Sequence, residues 1–134
     1  MKNGRMPVQL NHTIALATDA AASAGLLTEV LGLDAPRRYG PFHEVRLANG
    51  TSIDFMDAGG QPILGIHYAF LVTEDEFDEI FGRIKERGFD HWADPHKHQP
   101  GEINHGDGGR GVYWDHPDGH FLEILTVPYG GWPD

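Results

Sequence analysis

The order of predicted secondary structure repeats once along the 134 residues, and this repeat constrains the fold most strongly. Alternating apolar residues predict three strands in the first half, at residues 8–18, 42–47 and 51–57. A helix is predicted at 20–31, starting after Asp19 as N-cap and ending at Gly32. The proline-containing stretch 33–41 predicts a loop, and Asn49-Gly50 predicts a hairpin turn.

The second half repeats this order. Its predicted strands are residues 66–72, 89–93, 111–114 and 120–127. A helix follows the first of them, because Thr73 and Glu76 form a capping box and Gly88 suits a helix end. We therefore predict a single α+β domain over residues 1–134. It consists of two paired β-α-β-β-β modules, at about 8–58 and 65–127, which form a curved mixed sheet.

The composition restricts the partners of the chain. Its formal net charge of −10 argues against nucleic acid, whose phosphates require basic patches. The chain has no cysteine, so disulfides, thiolate nucleophiles and thiolate metal sites are excluded. No segment has the apolar length of a membrane span, and the N-terminal residues lack the apolar segment of a signal peptide. We expect a cytoplasmic protein without a membrane or nucleic-acid partner.

The last predicted strand carries a carboxylate in the middle of an apolar face. Phe121, Glu123 and Leu125 share one side of this strand. An ionised glutamate is costly to bury unless a cation or a hydrogen-bond donor contacts it. Because the chain has no cysteine, histidine and carboxylate are the remaining metal ligands, and the chain has nine histidines. A metal ion beside Glu123 would therefore explain its position.

Each half places a histidine on its first strand and a carboxylate on its last strand. These are His12 and Asp54 in the first half, and His67 and Glu123 in the second. If the modules pair as equivalents, the four side chains can converge on one divalent metal, for which Fe, Mn, Ni, Co and Zn are all suitable. The alternative is a set of structural roles, such as an ion pair between Asp54 and Arg46.

Three segments of the chain resemble motifs of the vicinal oxygen chelate superfamily. They are Leu-Asn-His12-Thr-Ile, His67-Tyr-Ala-Phe-Leu-Val, and Tyr-Trp-Asp-His-Pro-Asp-Gly-His-Phe-Leu-Glu123-Ile. The third resembles the ending Asp-Pro-(Asp/Asn)-Gly-His-x-x-Glu, with His116 inserted before Pro117. This superfamily contains glyoxalase I, extradiol dioxygenases, fosfomycin-resistance enzymes and bleomycin-resistance proteins.

The resemblance implies a cup around a divalent metal, with His12, His67 and Glu123 at ligand positions. Asp54 stands where glyoxalase I carries a fourth ligand, usually glutamate, so the substitution puts a glyoxalase-type site in doubt. The resemblance also implies a small-molecule substrate and a homodimer.

The long loop at residues 94–109 and the strand after it supply further candidates. We predict catalytic roles for His105 as an acid or base, Arg110 as a partner of a carboxylate or enolate, and Tyr113 as a hydrogen-bond donor. A solvated histidine-rich loop with fortuitous metal affinity is the alternative for His96 and His98.

Two classes of function remain open from the sequence. The first is a metal-dependent enzyme of glyoxalase or dioxygenase type, whose small organic substrate chelates the metal through oxygens. The second is a non-enzymatic binding protein like the bleomycin-resistance members, for which the net acidity would suit a cationic drug. Thiol transfer to fosfomycin is a third interpretation. It is weakened because the sequence has no clear basic cluster for a phosphonate beyond Arg110 and Lys97.

Overall fold

Two four-stranded sheets, each covered on one face by a helix, make up the fold. The computed structural model describes residues 7–133. The first sheet contains β1 (His12–Ala17), β2 (Arg37–Tyr39), β3 (Phe42–Arg46) and β4 (Ser52–Asp57), with α1 (Ala20–Leu31) between β1 and β2. The second contains β5 (His67–Leu71), β6 (His91–Trp92), β7 (Gly111–His116) and β8 (His120–Leu125), with α2 (Glu74–Glu86) between β5 and β6.

The two sheets have the same topology. Their strand orders are β1-β4-β3-β2 and β5-β8-β7-β6. In each sheet the first strand pairs in parallel with the last, and the other pairs are antiparallel. This confirms the predicted α+β fold of two β-α-β-β-β units. No helix within residues 7–133 has the length and apolarity needed to cross a membrane.

The predicted loop at 33–41 was wrong in one respect, since it contains the edge strand β2. All three residues of β2 are exposed, so the strand has no apolar alternation to reveal it. The helix signals were confirmed. Asp19 caps α1, Gly32 ends it in the left-handed conformation, and Thr73 and Glu76 form the predicted capping box of α2.

The register of the sheets makes the two halves equivalent. His12 lies opposite Ser52, two residues before Asp54. His67 lies opposite Phe121, two residues before Glu123. The same offset in both sheets places each histidine diagonally across from its carboxylate on one face of the parallel strand pair.

The helices pack against the opposite face of each sheet. The buried core residues of the central strands are those that alternate with the histidines and carboxylates: Ala15, Ala17, Ile53, Phe55, Phe70, Leu122 and Ile124. The faces that carry His12 and Glu123 are therefore the ones that the helices leave uncovered. Both faces of these strands carry large apolar residues, so alternation alone could not tell which face the helix covers.

The turn between β7 and β8 joins the second half of the chain to the first. Asp118 accepts hydrogen bonds from the backbone and the hydroxyl of Thr18, at 3.1 and 2.6 Å. The His120 ring donates through Nε2 to the Leu16 carbonyl at 2.8 Å. His116, the residue inserted in the sequence motif, contacts the hydroxyl and the carbonyl oxygen of Ser23 on α1, at 2.8 and 3.0 Å. These contacts fasten the two sheets together.

His116 should make the fold sensitive to acid. Burial lowers the pKa of His116 to about 4, whereas an unfolded histidine titrates near pH 6.5. Between these values the unfolded chain binds the proton and the folded chain does not, so stability falls as the pH drops. Denaturant unfolding should show a loss of about 2 kcal/mol from this residue between pH 7.5 and pH 5.

The comparison that isolates this effect is His116→Gln, which should unfold with a shallower dependence on pH than the wild type. His98→Gln, at an exposed histidine, serves as the control. An unchanged slope in His116→Gln would assign the acid sensitivity to other groups.

Candidate metal centre

His67 and Glu123 form the centre of the candidate site. They project from neighbouring strands β5 and β8, and His67 Nε2 lies 3.0 Å from Glu123 Oε1. Glu123 is 1% exposed, although its sheet face is the one that the helix leaves uncovered. Side chains on this uncovered face, and not the core under the helix, therefore shield the carboxylate from water.

The hydrogen bond of His67 Nδ1 determines whether Nε2 carries a proton or a lone pair. Nδ1 lies 2.9 Å from the carbonyl oxygen of Phe121, which can only accept, so Nδ1 carries the proton. In the neutral imidazole Nε2 then presents a lone pair to the carboxylate. Two lone-pair atoms at 3.0 Å require a cation between or beside them, either a second proton or a metal ion.

Tyr129 completes this cluster and was not predicted from the sequence. Its hydroxyl donates to both oxygens of Glu123, at 2.6 Å to Oε2 and 2.8 Å to Oε1. Because that proton is directed to Glu123, the Tyr113 hydroxyl donates to Tyr129 across 3.0 Å. Tyr129 follows β8 in an irregular segment, so no periodic pattern could have linked it to Glu123.

The two tyrosines are donors at neutral pH. Burial and the hydrogen bond to Glu123 raise the pKa of Tyr129 far above that of a free tyrosine. Burial also raises the pKa of Tyr113, and the charge of Glu123 adds to this effect. Both phenols therefore keep their protons at neutral pH.

The first sheet carries an equivalent pair. His12 is exposed and places Nδ1 2.7 Å from the side-chain oxygen of Asn11, which leaves Nε2 free to bind a metal. Asp54 is 5% exposed and accepts a hydrogen bond from the Ser52 hydroxyl at 2.7 Å. In both sheets Nδ1 of the histidine thus faces an acceptor, and Nε2 is the nitrogen with a lone pair.

The four predicted ligands do not meet within one chain. Among residues 7–133, no group of three or more His, Asp or Glu side chains is close enough to hold a metal ion. The structure brings His67 to Glu123 but leaves His12 and Asp54 on the other sheet. One chain therefore presents two half-sites.

The other predicted catalytic residues have different surroundings. Arg110 donates to Glu74 at 2.7 Å and Asp78 at 2.8 Å, and its guanidinium carbon lies 4.3 Å from the centre of the Phe77 ring. These contacts hold the residue that precedes β7 against α2. A substrate-binding role would therefore require Arg110 to exchange them. The His105 side chain is exposed just before a short 3₁₀ turn at Gly106–Gly108.

Aromatic rings form a wall beside the half-site of the second sheet. Tyr113 and Phe121 stack with centroids 5.6 Å apart and an interplanar angle of 16°, and His67 stacks on Tyr113 at 6.0 Å. Trp92 contacts Phe121 at 6.3 Å. Lys97 lies over Trp92, 4.4 Å from its ring centre, and pairs with Asp115 at the rim. We call this surface the aromatic wall; it consists of Tyr113, Phe121, His67, Trp92 and the Lys97 side chain that covers Trp92.

The chain resembles known proteins in sequence and in structure. The model of the Glyoxalase/Bleomycin resistance protein/Dioxygenase superfamily matches residues 9–124. The solved structure of Oxidase ChaP-H1 is 63% identical, with a TM-score of 0.90, and the match covers 93% of this chain and 100% of that one. Oxidase ChaP-H2 is 57% identical, with a TM-score of 0.90 and coverages of 94% and 98%.

More distant structures share the fold alone. Lactoylglutathione lyase from Agrobacterium tumefaciens is 17% identical, with a TM-score of 0.66, and the match covers 91% of this chain and 96% of that one. No curated protein sequence matches the chain. The family model spans both sheets and both half-sites, and the fold agrees with it. The chain therefore belongs to the Glyoxalase/Bleomycin resistance protein/Dioxygenase superfamily.

Proposed function

We propose that this protein is a divalent-metal-dependent enzyme of the oxidase or dioxygenase type, acting on a small oxygen-chelating organic molecule. The observation that carries this proposal is the His67–Glu123 contact, in which Nδ1 is tied to a carbonyl and Nε2 faces the carboxylate. Such a pair fits Fe, Mn, Ni, Co or Zn with borderline ligands. The identity of 63% to a protein named an oxidase favours oxidation over isomerisation.

We place the complete site between two copies of the chain. The half-site of His12 and Asp54 on one copy would face the half-site of His67 and Glu123 on the other. A two-fold axis then produces two identical sites, each with one half-site from either copy. The donor set of two imidazoles and two carboxylates suits a divalent metal.

The exposed apolar residues of the half-site faces support this arrangement. Ile14 lies two residues after His12 on the same face of β1 and is 45% exposed. Leu71 occupies the corresponding face of β5, four residues after His67, and is 52% exposed. A second copy laid across the cup would remove both side chains from water, which is favourable. We therefore expect a homodimer.

The site residues have distinct tasks in this proposal. A bound metal would supply Lewis acidity to a chelating substrate and a centre at which oxygen chemistry can occur. Tyr113 would orient a substrate oxygen if its hydroxyl exchanged the hydrogen bond to Tyr129 for one to the substrate. The wall formed by Phe121 and Trp92 would hold a flat ring by stacking and exclude water. Lys97, above the same rings, would bind a negatively charged substrate group only by exchanging its ion pair with Asp115.

The test is metal analysis of protein purified without a histidine tag. Wild-type protein should contain or take up about one divalent metal per chain, as two equivalent sites per dimer require. His67→Ala should weaken binding by about 100-fold or more, since it removes a direct ligand. Oxygen uptake with a panel of catechols should exceed isomerisation of a hemithioacetal.

His98→Ala is the matched control, because it removes an exposed histidine from the histidine-rich loop. Metal loss in this variant, with His67→Ala unaffected, would assign the metal to the loop surface. Protein that is metal-free and cannot be reconstituted would contradict the enzyme proposal and favour the alternative, a drug-binding protein of the bleomycin-resistance type.

A further inference from the structure

Tyr129 reaches Glu123 from the segment that follows β8. Although 70% of the residue is exposed, its hydroxyl contacts both oxygens of a carboxylate that is 1% exposed. We propose that Tyr129 is a positioning residue, which holds Oε2 of Glu123 and so directs Oε1 towards a metal beside His67. This inference rests on the proposed metal site.

The two oxygens of Glu123 have different surroundings. Oε2 receives the shorter hydrogen bond from Tyr129, at 2.6 Å. Oε1 receives the longer hydrogen bond from Tyr129, at 2.8 Å, and lies 3.0 Å from His67 Nε2, on the side where the lone pair of the imidazole points. A metal bound at Oε1 would replace the longer of the two hydrogen bonds and leave Tyr129 on Oε2. Such outer contacts fix the orientation of a ligand and strengthen metal binding.

The segment that carries Tyr129 is itself anchored. The backbone amide of Gly130 donates to Asp107 at 2.9 Å, and the amide of Gly131 closes a turn onto the Pro128 carbonyl at 2.8 Å. Asp107 lies in the short 3₁₀ turn with a positive φ of 50°, a conformation that Asp and Asn tolerate better than most residues. The glycine-rich loop therefore holds the segment after β8 over Glu123 through Asp107.

A small cavity shows that this contact encloses the carboxylate. A space of about 170 Å³ is lined by Glu123, Tyr113 and Tyr129 together with Asn104 and Asp107 from the loop. The hydroxyl of Tyr113 supports Tyr129 from within this space, at 3.0 Å. Hydrogen bonds therefore run from Tyr113 to Tyr129 and from Tyr129 to Glu123. The Oε1 atom of Glu123 is the oxygen that faces His67.

Titration of metal-free protein with Co(II) tests the inference directly. Tyr129→Phe keeps the ring and removes the hydroxyl, and we expect its Co(II) affinity to fall about 10- to 100-fold. The visible spectrum of bound Co(II) should change as well, because Glu123 is then free to bind through both oxygens. Asp107→Asn retains the backbone conformation but weakens the anchor, and it should give a smaller loss.

Tyr68→Phe is the matched control. It removes the same chemical group from a tyrosine that is bonded to Thr13 at 2.8 Å, on the helix-covered face of β5. Its Co(II) affinity and spectrum should equal those of the wild type. Thermal unfolding of all variants without metal will show whether Tyr129→Phe is folded.

The possible results separate this inference from the proposed function. Unchanged Co(II) affinity and spectrum in folded Tyr129→Phe would overturn the positioning role, while the metal site would stand. Tighter binding would also overturn it, by showing that the phenol competes with the metal for Glu123. Wild-type protein that binds no Co(II) would overturn both proposals.

Discussion

Heterodimers of His12→Ala and His67→Ala chains are expected to regain metal binding that neither variant has alone. Each variant homodimer has two damaged sites. In a heterodimer of the proposed kind, one site combines both substitutions, and the other combines the intact half-sites of the two chains. The purified heterodimer should therefore bind about half as much metal per chain as the wild type.

The experiment requires co-expression of the two chains with different affinity tags, neither of which contains histidine. Tandem purification isolates the heterodimer, and elemental analysis measures its metal content. The matched control combines His67→Ala with Glu123→Ala, which damage the same half-site. That heterodimer has no intact site and should stay as poor in metal as either parent.

Failure of the first heterodimer to recover metal would contradict a site shared between two copies. A site built within one chain predicts this failure, because every chain in the mixture carries a damaged site. The structure argues for recovery, since within residues 7–133 the two half-sites do not meet.

The second large effect concerns Gly65, just before β5. A Cβ atom at this position would collide with the backbone carbonyl oxygen of Gly119, in the turn before β8. Neither segment can move away easily, because Ile66 donates to the His120 ring at 3.0 Å and accepts from the Phe121 amide at 2.9 Å. We expect Gly65→Ala to cost about 3 kcal/mol, a typical penalty for overpacking against immovable atoms.

Thermal and denaturant unfolding measure this cost. The melting temperature should fall by about 10 °C for a domain of this size. Gly82→Ala is the matched control, since Gly82 lies within α2 and an added Cβ would meet open space. The same substitution there should be neutral or stabilise by up to about 1 kcal/mol. Equal stability of Gly65→Ala and the wild type would show that the two backbones can separate without cost.

The fold was largely predictable because its signals are local. Capping at Asp19 and Thr73, the glycine at the end of α1 and the alternation of the central strands each depend on neighbouring residues only. The strand β2 was missed because it is exposed and short, and pairing with β3 holds it in place. Pairing is a tertiary interaction that leaves no periodic signal in the strand itself.

The candidate site was predictable in part. Glu123 stood out because a carboxylate within an apolar alternation needs a partner, and His67 is the partner that the parallel pairing of β5 and β8 provides. Tyr129 had no such signal, since its contact with Glu123 depends on how the last segment folds back. Arg110 was predicted near substrate as a partner of a carboxylate or enolate, but α2 supplies two carboxylates that no pattern in the preceding loop reveals.

By itself, the sequence determined the duplicated order of elements, the helix ends and the presence of one histidine on the first strand and one carboxylate on the last strand of each half. Those features follow from hydrophobic periodicity and from the conformations of single residues. Only the tertiary structure decided which sheet face each helix covers, that His12 and Asp54 lie apart from His67 and Glu123, and that Tyr129 closes over the carboxylate. These depend on how distant segments pack, because a side chain acquires its partners only after the sheets have formed.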